Sequence, residues 1–253
     1  MPRLSVAVSV RPDFETATYV GSLVLRRAVD RWVGRGYTIT DLPGDRAVRE
    51  EVLKALTTDD PIFVFGVGHG NETTYTGQGY DKIFWSCDSG ELADRVVYLL
   101  SCITAAELGP DTVDKGARCY IGYERVFGWV MERVQDPLAD RYAKSFFEPV
   151  LELIYRLIDG ATAEDAFKAS IDRWNYWIDY WSRSTDPAAP AVLQWLLQDR
   201  DSQKLIGDRT ATVTTPPPLT TYLIPAVLGS IPVLVTLGIS IYSELTKKPP
   251  VAV

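Results

Sequence analysis

The sequence predicts an α/β fold in three layers, with a mostly parallel β-sheet between helices. Three short apolar runs, 62–67, 95–100 and 118–122, have the length and composition of strands buried on both faces. Segments with helical spacing of their apolar residues alternate with strand-like runs, as expected for parallel strands joined by helices. In such sheets, ligands and catalytic groups gather beyond the carboxyl ends of the strands.

The first part of the chain supplies the opening strands and helices of this fold. Residues 4–10 alternate apolar and small side chains, which indicates a first strand. Residues 16–32 have helical periodicity, and Gly34 and Gly36 follow as terminating residues. The pattern then predicts a short second strand at 37–40 and a second helix at 45–56.

Extra helices are predicted after the sheet, in an extension of about 137–200. Their ranges are 137–158, 162–183 and 188–198. The second carries Trp174, Trp177 and Trp181 on one face. Core packing is the ordinary explanation for such a face, and a substrate wall or a membrane-facing surface are the alternatives.

Composition and charge restrict the classes of function. The 253 residues carry a formal charge of −7 without a cluster of Lys or Arg, which argues against a nucleic-acid partner. Three cysteines without a CxxC pair argue against a disulfide framework and a zinc site. The chain has one His, so a His-rich metal site is impossible. We expect no metal and no cofactor.

A change of composition near residue 208 predicts the domain organisation. Residues 1–207 form the predicted main domain, and 208–221 form a Thr/Pro-rich linker. Residues 222–243 contain no charged side chain and are long enough to cross about 30 Å of hydrocarbon, so a carboxyl-terminal transmembrane helix is expected, followed by a short tail at 244–253. A buried helix is the alternative for 222–243.

These segments predict that the protein is anchored in a membrane by a single carboxyl-terminal span. Basic residues are balanced on the two sides of the span, so they do not decide its orientation. The amino terminus lacks the pattern of a secretory signal, which favours a main domain in the cytoplasm. The Thr/Pro linker resembles the stalks of surface proteins, which favours the external face.

Two polar residues that could perform thiol chemistry follow buried strands directly. His69 follows the run 62–67 within a glycine-rich loop, and Cys102 follows the run 95–100. If these strands are parallel neighbours, both side chains reach the same edge of the sheet. A free thiol needs a base or a lowered pKa to act as a nucleophile at neutral pH, and a nearby His can serve as that base. Glycines around His69 would let the backbone approach a substrate carbonyl group.

Each residue alone has an ordinary structural explanation. A single Cys at the end of a strand is more often a small buried hydrophobic residue, and a single His in a loop is more often without a catalytic role. It is the order of the two strand ends, His first and Cys second, that makes the pair specific.

The sequence around the pair resembles the caspase–gingipain–legumain clan of cysteine peptidases. The resemblance lies in strand-His-Gly followed by strand-Ser-Cys, and in the later segment GARCYIGYERVF, which is closest to gingipain-type domains. It implies a caspase–hemoglobinase-like sandwich and a cysteine endopeptidase that forms an acyl-enzyme. It also implies a catalytic dyad of His69 and Cys102, with the backbone amides of Gly70 and Cys102 as the oxyanion hole. The implied partner is a protein or peptide substrate.

The clan's substrate pocket does not carry over residue by residue. Asp88 and Glu124 lie in loops near the predicted site, and they are our candidates for a pocket that binds a basic side chain. Of the other thiols, Cys119 is expected within a strand and Cys87 in a loop.

Two other functions compete with a peptidase. A catalytically silent caspase-like module that binds or signals, tethered to a membrane, would keep the same fold. A nucleotide or flavin protein would use the glycine-rich loop at 66–71 for phosphate, but this loop lacks the GxGxxG spacing and the lysine of a Walker motif.

Overall fold

The computed structural model describes residues 5–132 and 135–214. Within them, the strands are β1 (Val6–Arg11), β2 (Thr38–Pro43), β3 (Phe63–Val67), β4 (Thr74–Thr76), β5 (Lys82–Trp85), β6 (Val96–Leu100), β7 (Cys119–Tyr123) and β8 (Gln203–Gly207). The helices are α1 (Thr16–Gly34), α2 (Arg49–Asp59), α3 (Leu108–Asp114), α4 (Lys144–Ile158), α5 (Ala163–Ser182) and α6 (Ala189–Ser202).

Six strands form the central sheet, in the order β2-β1-β3-β6-β7-β8. All neighbours are parallel except β7 and β8, which pair in antiparallel orientation. The chain places β2 on one side of β1, and it places β3 and the later strands of this sheet on the other side. The direction in which strands are added therefore reverses between β1 and β3. Open sheets of this kind bind ligands at the carboxyl ends of the strands beside such a reversal.

Helices cover both faces of this sheet because the strand side chains alternate between them. Phe63 and Phe65 point to the face that packs against α1, α4 and α5. Val64 and Val97 point to the other face, which packs against α2 and α3. The result is a mixed α/β fold with a mostly parallel sheet between two helical layers.

The tryptophans of α5 are core residues. Trp174, Trp177 and Trp181 are at most 5% exposed, which favours the core-packing explanation over the two alternatives. Their indole N–H groups find partners within the protein, as in the bond from Trp181 to Ser145 Oγ at 2.8 Å.

Two strand pairings of the structure were not expected from the sequence. One is the antiparallel pair β4–β5, which lies between β3 and β6 in the chain. The other is β8, at the edge of the central sheet, which pairs Ile206 with Tyr120. Both are short, and neither has the alternation of apolar and polar residues that identifies a strand in sequence.

The membrane anchor included in the expected fold class and localisation is not upheld. None of the helices within 5–132 and 135–214 has both the length and the apolar character needed to cross a bilayer. The 15 residues of α4 are too short for about 30 Å of hydrocarbon, and the 20 residues of α5 include charged side chains such as Asp172 and Arg173. The segment 222–243, where the span was expected, lies outside the described residues. We therefore withdraw the transmembrane helix and the membrane localisation.

Candidate active site

The two residues that follow the central strands lie on one cavity. Strands β3 and β6 are parallel neighbours, paired from Phe63 with Val96 to Val67 with Leu100. Their carboxyl ends therefore lie side by side, and the chain continues from them into His69 and Cys102. Both residues line a cavity of about 170 Å³, together with residues of the first turns of α1.

His69 is held by contacts on several sides of its ring. Its Nε2 lies 3.2 Å from Glu15 Oε1. Tyr80 stacks on the imidazole with a centroid distance of 5.2 Å, and Phe14 approaches it edge-on at 6.1 Å. About a third of the His69 side chain remains exposed. These contacts fix the orientation of the ring while leaving part of it open to the cavity.

Glu15 is a site residue that the sequence did not reveal. It is the N-cap of α1, and its carboxylate accepts hydrogen bonds from the backbone N–H groups of Ala17 at 2.9 Å and Thr18 at 2.7 Å. Burial raises its pKa, but these two bonds, the Thr18 hydroxyl and the proximity of His69 outweigh burial, so the pKa is lowered overall. Glu15 is thus a carboxylate at neutral pH, beside His69.

A signal for Glu15 exists in the sequence, but it is a structural one. Glu15 and Thr18 form a reciprocal capping arrangement at the start of α1. Such a pair predicts a helix start and nothing more. Only the pairing of β1 with β3 brings this helix start beside the loop that carries His69.

Cys102 is half-buried, and its thiol is directed toward the segment after β7. Its Sγ donates a weak hydrogen bond to the carbonyl oxygen of Phe127 at 3.9 Å. Burial raises the pKa of this thiol more than the bond to Phe127 lowers it, and the nearby Asp199 raises it further. The resting Cys102 is therefore a neutral thiol. No hydrogen bond joins it to His69, although both residues belong to the described part of the chain.

The backbone after Cys102 adopts an unusual conformation. Ile103 has a φ of +66°, in the left-handed region that a β-branched residue rarely occupies. Its amide donates to the carbonyl oxygen of Arg125 at 3.1 Å, which helps to hold this turn. Strained backbone of this kind is often found beside functional side chains, and here it fixes the direction in which the chain leaves Cys102.

Gly70 and Cys102, whose amides are expected to form an oxyanion hole, lie on chain segments that contact each other. A β-carbon at position 70 would lie 2.8 Å from the carbonyl oxygen of Cys102 and would overlap Ser101 Oγ, so Gly70 packs directly on the segment that carries Cys102. Within 5–132 and 135–214, neither the backbone N–H of Gly70 nor that of Cys102 donates a hydrogen bond. Both donors therefore remain available to a ligand.

Two other glycines near His69 have a packing role. A β-carbon at Gly66 would approach Tyr75 Oη to 2.5 Å, and one at Gly68 would overlap the carbonyl oxygen of Thr76. Tyr75 is fully buried and donates a hydrogen bond to the carbonyl oxygen of Val67 at 2.8 Å. Gly66 and Gly68 thus allow the β4–β5 hairpin to pack against the end of β3. This packing explains why glycine occupies these two positions without invoking the approach of a substrate.

The carboxylates considered for a substrate pocket do not line this cavity. Asp88 pairs with Arg49 at 3.4 Å, near β5. Glu124 pairs with Lys204 at 3.1 Å, beside β8. Each carboxylate already has a cationic partner from the chain itself.

The remaining thiols lie apart from the cavity. Cys119 is fully buried within β7, and burial raises its pKa to about 12. Cys87 is exposed in the loop after β5. Of the three cysteines, Cys102 alone lines the cavity that contains His69.

The glycine-rich loop lacks a feature that phosphate binding would require. After His69 the chain enters β4 rather than a helix. A phosphate-binding loop of the dinucleotide or Walker type leads into a helix N-terminus, whose amides bind the phosphate. This connection disfavours a nucleotide or flavin protein.

Comparison with known proteins places the fold. One similar solved structure is a complex of the pro- and mature domains of RgpB from Porphyromonas gingivalis, with a TM-score of 0.54, 11% identity, and coverage of 84% of this chain and 50% of that one. Another is described as a protease, with a TM-score of 0.50, 15% identity, and coverage of 83% of this chain and 48% of that one. No protein-family model and no curated protein matches the sequence. The chain therefore has a gingipain- and caspase-like fold, and it spans about half the length of the structures it matches.

Proposed function

We propose that this chain is a cysteine endopeptidase with Cys102 as nucleophile and His69 as general base. The observation that carries the proposal is the meeting of these two residues on one cavity, at the carboxyl ends of the neighbouring parallel strands β3 and β6. A thiol, a base and a carboxylate that orients the base are the groups that acyl transfer by cysteine requires.

The proposed reaction starts with transfer of the thiol proton. When His69 Nε2–H donates to Glu15, the Nδ1 of the same ring is the free acceptor. Rotation of the Cys102 side chain away from Phe127 brings Sγ toward that nitrogen. Nδ1 takes the proton, and Sγ forms a bond to the carbonyl carbon of the peptide.

The negative charge that develops on the carbonyl oxygen is bound by backbone amides. The N–H groups of Gly70 and Cys102 are the proposed donors, and each such donor typically contributes a few kcal/mol to stabilisation of the transition state. As the intermediate collapses, the C–N bond breaks and His69 gives its proton to the leaving amine. Water, deprotonated by His69, then hydrolyses the thioester and restores the thiol.

The proposed partner is a protein or peptide bound across this cavity. The RgpB structure named above is a complex between a pro-domain and a mature domain, so on that protein this fold contacts another polypeptide segment. A cavity at the end of the sheet, flanked by the available amides of Gly70 and Cys102, suits an extended peptide in the same way.

Cleavage of a peptide library by the full chain, read by mass spectrometry, tests the proposal. We expect cleavage at a consistent type of residue, and its loss in Cys102→Ala and in His69→Ala. Cys87→Ser is the matched control, because Cys87 is exposed and lies outside the cavity. Unchanged turnover in either variant of the dyad would rule out the mechanism.

A catalytically silent binding module is the second candidate, and one observation favours it. In the resting structure the thiol of Cys102 is neutral and bonded to the Phe127 carbonyl rather than to His69. Labelling with a peptidyl electrophile separates the two functions. An enzyme reacts at Cys102 in a manner that depends on His69, whereas a binding module reacts slowly and equally with or without His69.

A further inference from the structure

We propose that the cavity beside Cys102 is a subsite that binds an uncharged, apolar side chain of the residue preceding the scissile bond. This inference rests on the proposed peptidase function and adds to it a class of substrate. It also differs from the sequence-based candidates for a basic-residue pocket, because Asp88 and Glu124 lie elsewhere.

The position of the cavity suits a subsite next to the nucleophile. It is bounded by the ends of β3 and β6 on one side and by the first turns of α1 on another. The segment after β7 closes it through Phe127 and Trp129. A peptide whose carbonyl carbon lies at Sγ would therefore direct the side chain of that same residue into the cavity.

The lining of the cavity is mostly apolar. Three aromatic rings and three aliphatic side chains form the apolar part of the lining, and Thr18, His69, Ser101 and Cys102 add polar groups. The principal apolar residues are Val67, Leu100, Phe127, Trp129, Phe147 and Ala17. Apolar pockets with a few polar groups at one end are the usual form of a site that selects an apolar group and orients it.

Charged groups near the cavity are already engaged or lie behind its wall. Glu15 accepts bonds from two amides of α1 and contacts His69. Asp199 is fully buried behind the wall, where its Oδ1 accepts a bond from the N–H of Gly128 at 3.2 Å. Burial raises the pKa of Asp199 well above its usual range, so this carboxyl group favours its neutral form. A charged substrate side chain would therefore enter the cavity without a counter-ion, at a high cost in desolvation.

The wall is held by packing among its own rings and against Trp174. Phe127 packs on Phe147 and Trp174, with centroid distances of 6.3 Å in both pairs, and Trp129 packs on Phe147 at 5.5 Å. A β-carbon at Gly128 would overlap the ring of Trp195, so this residue also fits closely against its neighbours. A closely packed wall selects by size as well as by polarity.

The size of the cavity sets an upper limit on the side chain. Its volume of about 170 Å³ is similar to that of an apolar protein cavity of about 150 Å³ that binds benzene. Leucine, methionine and phenylalanine side chains fit within this volume. The expected substrates therefore have one of these residues before the cleaved bond.

The test uses the full chain and matched peptides that differ only at the residue before the cleaved bond. We expect kcat/KM for Leu or Phe to exceed that for Arg or Asp by at least about a hundredfold, since burial of an unpaired charge is costly. An Ala peptide should fall between them, because it loses apolar burial but brings no unpaired charge into the cavity.

Substitution of Ala17 tests whether this cavity is the origin of the preference. Ala17→Leu places a larger side chain in the cavity and should lower kcat/KM for the Phe peptide by about tenfold or more relative to that for the Ala peptide. Ala169→Leu is the matched control, because Ala169 is also a half-buried helical alanine but lies on α5, away from the cavity. The control should change neither peptide.

The outcomes distinguish the subsite from the peptidase itself. Cleavage with a preference for Arg or Asp, or a preference that Ala17→Leu does not alter, contradicts the subsite proposal but not the peptidase proposal. If no peptide is cleaved and no peptidyl electrophile, apolar or charged, labels Cys102, both proposals fail. Apolar preference that shifts toward the smaller residue in Ala17→Leu supports both.

Discussion

Glu15 contacts both the first turn of α1 and the proposed general base. Its carboxylate caps the first turn of α1 through two amides, and it also approaches His69 Nε2 at 3.2 Å. The cap fixes the position of the carboxylate, because the amides are part of a rigid helix. The carboxylate in turn contacts the ring of His69, and under the proposed mechanism its negative charge stabilises the imidazolium that forms when His69 takes a proton.

Glu15→Gln should therefore lower kcat more than it changes KM. The single amide oxygen of Gln can still accept from one of the two α1 amides, but the side chain no longer carries a charge to stabilise the imidazolium. We expect kcat to fall by about ten- to a hundredfold, a part of the roughly 10²–10⁴ that a positioned acid–base group supplies. Steady-state kinetics on the best peptide would measure this split. Glu164→Gln, in the first turn of α5, serves as control. A change in KM alone would contradict a role in positioning His69.

The protonation of Cys102 makes a second prediction, about pH. Since burial raises the pKa of this thiol, the folded chain has less thiolate at a given pH than an ordinary cysteine has. Labelling of Cys102 by iodoacetamide at pH 8 should be slower in the folded chain than in the chain unfolded in urea, and it should speed up as the pH rises further. Peptide mapping by mass spectrometry gives the rate. Faster labelling of the folded chain at pH 6 would instead indicate a preformed thiolate–imidazolium pair.

The catalytic candidates illustrate what the sequence could predict at this scale. His69 and Cys102 were identifiable because each directly follows an apolar strand, and parallel strands deliver their following residues to one edge. Glu15 was not identifiable, because it is 54 residues from His69 in the chain and its local pattern is that of a helix cap. Its contact with His69 exists only once the fold brings the two loops together.

At the scale of elements, the segment between β7 and α4 determines the shape of the site. It has no regular structure in 124–131, yet it supplies Phe127 and Trp129 to the cavity and accepts a bond from Cys102 Sγ. An irregular segment has no periodicity, so the sequence could not show which of its side chains face the cavity. Its attachment to α6 through Asp199 and the N–H of Gly128 was equally hidden.

Asp199 should make the stability of the protein depend on pH. Its pKa in the folded state is raised by burial, and in the unfolded chain it is near the ordinary value of about 3.9. Its contribution to stability is therefore fully present below pH 4 and is lost as the pH rises toward the folded-state pKa. The loss is at most about 1.4 kcal/mol for each pH unit within that window.

Asp199→Asn removes this titration and tests its size. Urea unfolding of both proteins at pH 5 and pH 8 gives the free energy of unfolding at each pH. We expect the wild-type value to fall more between these pH values than the value of the variant. Asp201→Asn, an exposed residue on the same helix, is the control and should behave as the wild type. Equal pH dependence in Asp199→Asn and wild type would show that Asp199 does not titrate in this window.

At the scale of the whole molecule, the short segment 203–211 stabilises two parts of the fold. It forms the edge of the central sheet through β8, and it binds the first turn of α5. Strand β8 pairs with β7 along its full length, from Gln203 with Tyr123 to Gly207 with Cys119. The next residues continue onto α5, where the carbonyl oxygens of Arg209 and Ala211 accept bonds from the N–H groups of Glu164 and Ala163 at 2.9 and 2.8 Å. These are amides of the first turn of α5, which have no partner within the helix itself.

This segment was not predictable as part of the domain, for a compositional reason. The uncharged, Thr- and Pro-rich sequence from residue 210 onward is typical of a linker, and the predicted linker begins at 208. In the structure, Ala211 and Val213 are fully buried against the core. Two small apolar residues within a polar run are too few to reveal that burial in sequence.

A chain that ends at residue 214 should accordingly be more stable than one that ends at 207. The shorter chain loses the burial of Val213, worth about 1.5–3 kcal/mol, and two backbone hydrogen bonds of about 0.5–1.5 kcal/mol each. We expect a difference on the order of 3 kcal/mol in the free energy of unfolding, measured by urea denaturation. A chain that ends at 202 also lacks β8 and exposes the edge of β7, so it should aggregate rather than fold. Equal stability of the chains that end at 207 and 214 would mean that residues 208–214 are a linker after all, as their composition suggests.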